Sequence, residues 1–122
     1  MPKSDEELIR ATVLDYFEGW FTADAERMNR ALHPDLVKRW PGTDQASSLG
    51  ITTKQQMVEL TAKGEGRADV GDGTLAITVE DVYEDIASVT VRGGVYHEYL
   101  QLVRTHDGWK IANALWRFAD RG

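Results

Sequence analysis

Apolar positions recur at helical spacing in the first half of the chain and at strand spacing in the last third. In SDEELIRATVLDYFEGWFTAD, Ile9, Val13, Tyr16 and Trp20 fall at i, i+4, i+7 and i+11, one continuous apolar stripe. Ser4 and Glu7 ahead of it have capping-box spacing, and Asp5 and Glu6 put negative charge at the positive end of the helix dipole. Asp24 can cap a second, short helix whose buried side is Met28, Ala31 and Leu32; Pro34 disfavours helical geometry at His33 and stops it there. LVKRW reads as a short strand, and PGTDQASSLG as a loop on its Gly, Pro and Ser content. Thr53 and Gln56 repeat the capping-box spacing, and Met57 with Leu60 gives a third helix its apolar side before Gly64 and Gly66 end it. GEGRADVGDG is the most flexible stretch by composition. Beyond it the period becomes that of strands: TLAITVEDVY, IASVTVRG, YHEYLQLVRT and WKIANALWRF, separated by the turns EDI, GGV and HDG.

This order predicts an α+β domain, α-α-β-α-β-β-β-β, with three N-terminal helices packed on an antiparallel sheet. The last strand is apolar on both sides. Trp109, Ile111 and Leu115 alternate with Ala112, Ala114, Trp116 and Phe118, whereas a sheet with one wet face is apolar on one side only. Two arrangements satisfy it: helices on one face and a second chain on the other, or a sheet curled around a cavity.

Composition narrows the function. The chain has 122 residues, enough for one domain over 1–122, and its net charge of −6 with no basic block argues against a general nucleic-acid binder. Without cysteine there is no disulfide, thiolate metal site or cysteine nucleophile. The opening MPKSDEELIR has no apolar leader and no run is long enough to span a bilayer, so a cytoplasmic location without membrane association is expected. His33, His97 and His106 lack tight ligand spacing and DVGDG lacks a calcium loop's oxygen ligands, so no metal is expected. No phosphate-cradling loop and no nucleophile elbow around Ser47, Ser48 or Ser88 appears, and no cofactor is expected.

The order of elements, with DYFEGWFTADAERMNRALHPDL at the front and YLQLVRTHDGWKIANALW at the back, resembles the nuclear transport factor 2-like superfamily. Within it the chain is most similar to the putative lumazine-binding group, near the polyketide-cyclase-like and ketosteroid-isomerase-like branches. The resemblance implies a cone, three helices and a strongly curved sheet around one cavity, with homodimerisation through the outer sheet face. The steroid isomerases add a residue test: their pocket holds a helix tyrosine, an aspartate base before a proline and a protonated aspartate. In this chain Tyr16 matches the tyrosine, Trp40 before Pro41 stands in the place of the base, and Gln101 in that of the second acid. Tryptophan cannot abstract a carbon-bound proton, so the familiar isomerase reaction is not expected, though a tyrosine–glutamine pair can still bind a carbonyl oxygen. The same register implies that Tyr99, Gln101 and Val103 point inward with Ala112, Ala114, Trp116 and Phe118. Asn113, Trp109, Ile111 and Leu115 then face a partner subunit.

The expected ligand-binding residues are therefore Tyr16, Trp20, Trp40, Tyr99, Gln101 and Trp116, and the candidate catalytic residues Tyr16, His97 and Asp35. Each has a plainer reading beside it. Tyr16 and Trp20 lie on a stripe that plain core would also produce. His33 and Asp35 fit backbone capping where a helix gives way to a strand. Lys38 and Arg39 alternate, so at least one is solvated, and Trp40 is the member of that cluster that reaches the cavity. His97 shares the parity of Gln101, and Glu98 beside it points the other way. His106 is an exposed turn residue, and EDVYED a charged hairpin edge. Two functions remain open: a small-molecule-binding domain without chemistry of its own, or a cofactor-free isomerase, cyclase or dehydratase acting on a carbonyl-bearing or polycyclic substrate. An ionisable group within reach of the cavity is the feature that separates them.

Overall fold

In the computed structural model, which describes residues 2–42 and 44–119, the capping signals are realised as bonds. Thr43, in the segment read as a loop, and residues 1 and 120–122 of the expected domain lie outside the described residues. Helix α1 (Asp5–Thr22) starts at a complete Ser4–Glu7 box, α2 (Ala25–Ala31) at Asp24, whose side chain accepts from the Arg27 amide, and α3 (Lys54–Ala62) at a Thr53–Gln56 box. None of these helices is long and apolar enough to cross a membrane.

Strands β1 (Leu32–Trp40), β2 (Gly50–Thr53), β3 (Leu75–Tyr83), β4 (Ile86–Gly93), β5 (Tyr96–Thr105) and β6 (Gly108–Phe118) form one sheet in the order β2-β1-β6-β5-β4-β3. The fold is α+β as the pattern predicts, with three differences. Leu32, expected on the second helix, opens β1 instead, and Pro34 sits where the pairing slips between Leu32 and Val37. The segment between that strand and α3 carries a four-residue strand, β2, too short for its period to register. The sheet is mixed, because β1 runs parallel to β6 while every other pair is antiparallel. Only hairpin-linked strands must be antiparallel, and β1 reaches β6 after a long crossover.

Pairing shifts interrupt β1–β6, β3–β4 and β5–β6. Each bends its strand and adds twist, which wraps the sheet around α1. The core lies on that inner side, where Ile9, Val13, Phe17 and Met28 meet Val89, Val91, Leu100, Leu102, Trp109 and Ile111.

The last of these breaks corrects the expected register. Gln101 pairs with Asn113 and Leu102 with Ile111, leaving Ala112 as an extra residue in β6. Trp109 and Ile111 therefore face the helices, not a partner, and beyond the bulge the inner parity passes to Ala114 and Trp116. On β5 the inner residues are Tyr96, Glu98, Leu100 and Leu102. Tyr99, 55% exposed, and Gln101, bonded to Asn113 across the pair, lie on the outer face, contrary to the expected register. Leu100 and Leu102 favour this parity, since burying each contributes about 1.5–3 kcal/mol.

Candidate functional site

Between α1, α3, the 3-10 turn Arg67–Asp69 and the inner sheet face lies a cavity of about 380 Å³. Trp20, Met57 and Trp116 give it apolar walls; Lys38, Asp69 and Tyr96 bring polar atoms to it. Trp40 stacks on Trp116 at 5.2 Å between ring centroids and 14° between planes, and Tyr96 meets Trp116 edge-on at the same distance. Phe118 stacks on Tyr96 and closes an aromatic wall at the end of the sheet.

The polar atoms form two tiers. In the deeper one the Tyr16 hydroxyl donates to Glu98 Oε1 at 2.8 Å, and Lys38 Nζ donates to Tyr16 Oη at 2.5 Å. Lys38 Nζ lies 3.8 Å from Glu98 Oε2 and 5.4 Å from the Trp116 ring centroid. Tyr16 and Glu98 are 2% exposed and Lys38 8%, so these groups are held away from solvent. The strands explain the meeting. Lys38 is level with Ala114 on β6, and Ala114 with Leu100 on β5; the alanine methyl leaves the lysine room to reach toward Glu98. Leu36, Lys38 and Trp40 share one side of β1.

Burial pushes the Glu98 carboxyl above its ordinary range, while Lys38 and the Tyr16 hydroxyl pull it back. Burial pushes the Lys38 amine down, opposed by the charges of Glu98 and Asp69. The Tyr16 phenol is driven well above its usual value, first by burial and then by Glu98. Acid and amine thus move toward each other, with a hydroxyl between them. That arrangement can pass a proton from Glu98 to Lys38 and back.

The upper tier is built on Asp69. Its Oδ2 accepts from Tyr96 Oη and from Trp20 Nε1, the latter at 3.2 Å. Burial, and then the bond to Asp69, drives the Tyr96 phenol far above its ordinary range. The turn carrying Asp69 is clamped. The Asp69 amide donates to the Gly66 carbonyl at 3.0 Å, and the Val95 amide to the Asp69 carbonyl at 3.1 Å. A Cβ on Gly66 would overlap the Trp20 carbonyl and indole; one on Gly94, whose φ is +55°, would overlap the Asp69 carbonyl.

Of the residues expected to bind, Trp20 and Trp116 line the cavity, Trp40 backs its wall, and Tyr16 lies in its buried floor. Tyr99 and Gln101 are on the other side of the sheet. Among the expected proton carriers, His97 is also on the outer face, edge-on to Tyr99. The Asp35 side chain is 93% exposed, its amide donating to His33 Nδ1 at 3.0 Å, which is capping at the helix–strand junction. The fold thus does not bring Gln101, His97 or Asp35 to this cavity, whereas the ionisable Lys38 and Asp69 do reach it. Sequence reasoning misses Lys38, Glu98, Tyr96 and Asp69 as site residues. For Lys38 the available signal is its i, i+2 relation to Trp40, and for Glu98 its alternation with Leu100 and Leu102. Asp69 sits in the stretch that reads as most flexible and carries no signal. Among the described residues no three His, Asp or Glu side chains gather as metal ligands. A larger hollow of about 800 Å³ lies toward the outer face, where Leu49, His97, Tyr99 and Leu115 border it.

No curated protein matches the sequence. Among solved structures, an NTF-2-like protein of unknown function from Silicibacter pomeroyi superposes with a TM-score of 0.69 at 16% identity, over 96% of this chain and 100% of that one. An NTF2-like protein with a cystatin-like fold from Novosphingobium aromaticivorans gives 0.66 at 18% identity, over 97% of this chain and 84% of that one. A ketosteroid isomerase-like protein from Erwinia carotovora atroseptica gives 0.62 at 20%, over 98% and 99%. These likenesses establish the fold. The family described as "Putative lumazine-binding" matches residues 4–117. The chain belongs to that putative lumazine-binding family, on the NTF2-like, cystatin-like fold.

Proposed function

We propose that the protein binds a small planar molecule with a carbonyl edge in the cavity between α1, α3 and the inner sheet face. The observation that carries this reading is the combination at one place of apolar walls, from Trp20 and Trp116, with the Lys38 amine, the Asp69 carboxylate and the Tyr96 hydroxyl. Rings stack on the walls while the polar atoms fix the ligand's edge, the usual division of labour in a small-molecule site. The volume of about 380 Å³ suits a ligand of one to three rings. Lumazine, the bicyclic dione in the family's description, is a fitting probe: planar, with two carbonyls. Titrating it against the tryptophan fluorescence should give saturable quenching, weakened at least about tenfold by Trp116→Ala. No quenching up to millimolar lumazine and a panel of bicyclic ketones, or quenching indifferent to Trp116→Ala, sinks the reading.

A second reading, catalysis, is favoured by the Glu98–Tyr16–Lys38 chain. Here Lys38 and Glu98, rather than His97 or Asp35, would move the proton of an isomerase, cyclase or dehydratase reaction on a bound carbonyl compound. Deuterium from solvent should then enter the carbon next to a bound ketone's carbonyl, and fail to do so in Lys38→Met.

We also propose that the outer face pairs with a second copy of this chain. Ile86, Tyr99 and Leu115 are exposed on that face, a density of large apolar groups that water covers poorly. Light scattering at micromolar concentration should report a dimer, and Leu115→Asp a monomer.

A further inference from the structure

We propose that Lys38 is a covalent anchor, its Nζ forming an imine with the carbonyl of an aldehyde or ketone that enters the cavity. The inference rests on the reading of that cavity as a binding site and says what the lysine does there. Lys38 is the one cationic side chain at the cavity among the described residues. Its surroundings differ from those of a lysine that only neutralises an acid. Glu98 Oε2 is 3.8 Å away, beyond hydrogen-bond distance, and the direct contact is with a hydroxyl, Tyr16 Oη. The amine is thus held by a neutral partner, with a carboxyl one bond further along the chain.

Those are the parts that imine formation needs. The lone pair of the neutral amine attacks the carbonyl carbon, forming the C–N bond as the C–O π electrons move to oxygen. Glu98, through Tyr16 Oη, gives its proton to the carbonyl oxygen, and the carboxylate so formed takes up the proton lost from nitrogen, leaving a carbinolamine. Glu98, through Tyr16, then protonates the hydroxyl, which leaves as water as the C=N bond forms, and the second nitrogen proton returns to Glu98. Amine and carbonyl give imine and water, with no oxidant or reductant involved. Burial works against both charges, moving the amine toward the form that attacks and the carboxyl toward the form that donates. Trp116, with its ring centroid 5.4 Å from Nζ, shields the product from water.

The test is reductive trapping on the intact wild-type protein. 2-Naphthaldehyde and cyanoborohydride are added, and the adduct is located by peptide mass spectrometry. Lys38 should be labelled at least tenfold faster than Lys3, Lys54, Lys63 or Lys110, and lumazine should protect it. Glu98→Gln should slow labelling about tenfold. Labelling spread evenly over the lysines, or absent from Lys38, overturns the anchor. If lumazine still quenches in that case, the binding site stands without it; if neither occurs, both readings fall. The comparison among lysines is made within the wild-type protein, so it does not require a Lys38 variant that folds.

Discussion

The two tiers of polar groups use almost the same parts to different ends. Each sets a β5 or α1 tyrosine against a carboxylate: Tyr16 with Glu98 below, Tyr96 with Asp69 above. The third member differs, an amine in the lower tier and the Trp20 indole N–H in the upper. Glu98 is fully enclosed, and a lone carboxylate there would be strongly penalised, so the lysine makes the group as a whole neutral. Asp69 is only half-buried, and solvent with two neutral donors suffices. The lower tier can therefore exchange its proton internally, whereas the upper has fixed donors and a fixed acceptor. Depth rather than residue type separates a group suited to chemistry from one suited to orienting a ligand.

The strongest way to break this comparison is Lys38→Met. It leaves Glu98 without a counter-charge, and breaking a buried pair from one side costs about 3–5 kcal/mol. The sign with pH follows from Glu98. Burial already raises its folded-state pKa above the ordinary 4.5, and without Lys38 it rises further. A folded state that holds its proton more tightly than the unfolded chain is favoured at low pH. It loses that advantage as pH climbs from the unfolded value through the folded one. Urea unfolding should thus show a small deficit near about pH 4 and the full one near about pH 8. Lys38→Met with Glu98→Gln should recover most of it. Asp69→Asn keeps an acceptor and should lose only about 1–2 kcal/mol. Equal losses in Lys38→Met and Asp69→Asn, or a Lys38→Met deficit flat across pH, would erase the distinction between the tiers.

How far the chain announced this arrangement depended on which signal each residue carried. Three helices were legible because Ser4 with Glu7, Asp24, and Thr53 with Gln56 state their starts locally. The strands of the meander were legible from period alone, but their facing was not. A period of two permits either parity, and a count carried through the Ala112 bulge exchanges inside for outside. That is why Tyr99, Gln101 and His97 were expected inside, where Tyr96 and Glu98 lie instead. Trp20 and Trp116 do line the cavity, the first from a helix stripe and the second from the part of β6 beyond the bulge. Asp69 was beyond reach: Gly66, which reads as flexibility, is there because the Trp20 carbonyl and indole pack too closely for a side chain.

A finer test uses the tyrosines themselves. Tyr16→Phe leaves Glu98 Oε1 without its donor in a dry site and should cost about 1–3 kcal/mol. Tyr96→Phe leaves Asp69 still bonded to Trp20 and open to water, so about 1 kcal/mol or less is expected. Thermal or urea unfolding of the pair ranks them, and a larger loss in Tyr96→Phe would mean that the upper tier is the drier one.

The smallest expected effect lies in the cluster where α2 gives way to β1. Asp35 and Lys38 are three residues apart, yet β1 turns one to solvent and the other to the cavity. Asp35→Ala should change stability by no more than about 0.5 kcal/mol, because its carboxylate is exposed and the bond at this junction is made by its backbone amide to His33 Nδ1, which alanine retains. Lumazine quenching should likewise be unchanged. A clear loss of either in Asp35→Ala would mean that the junction itself swings Asp35 inward when a ligand enters, and the assignment of all proton transfer to Lys38 and Glu98 would then be wrong.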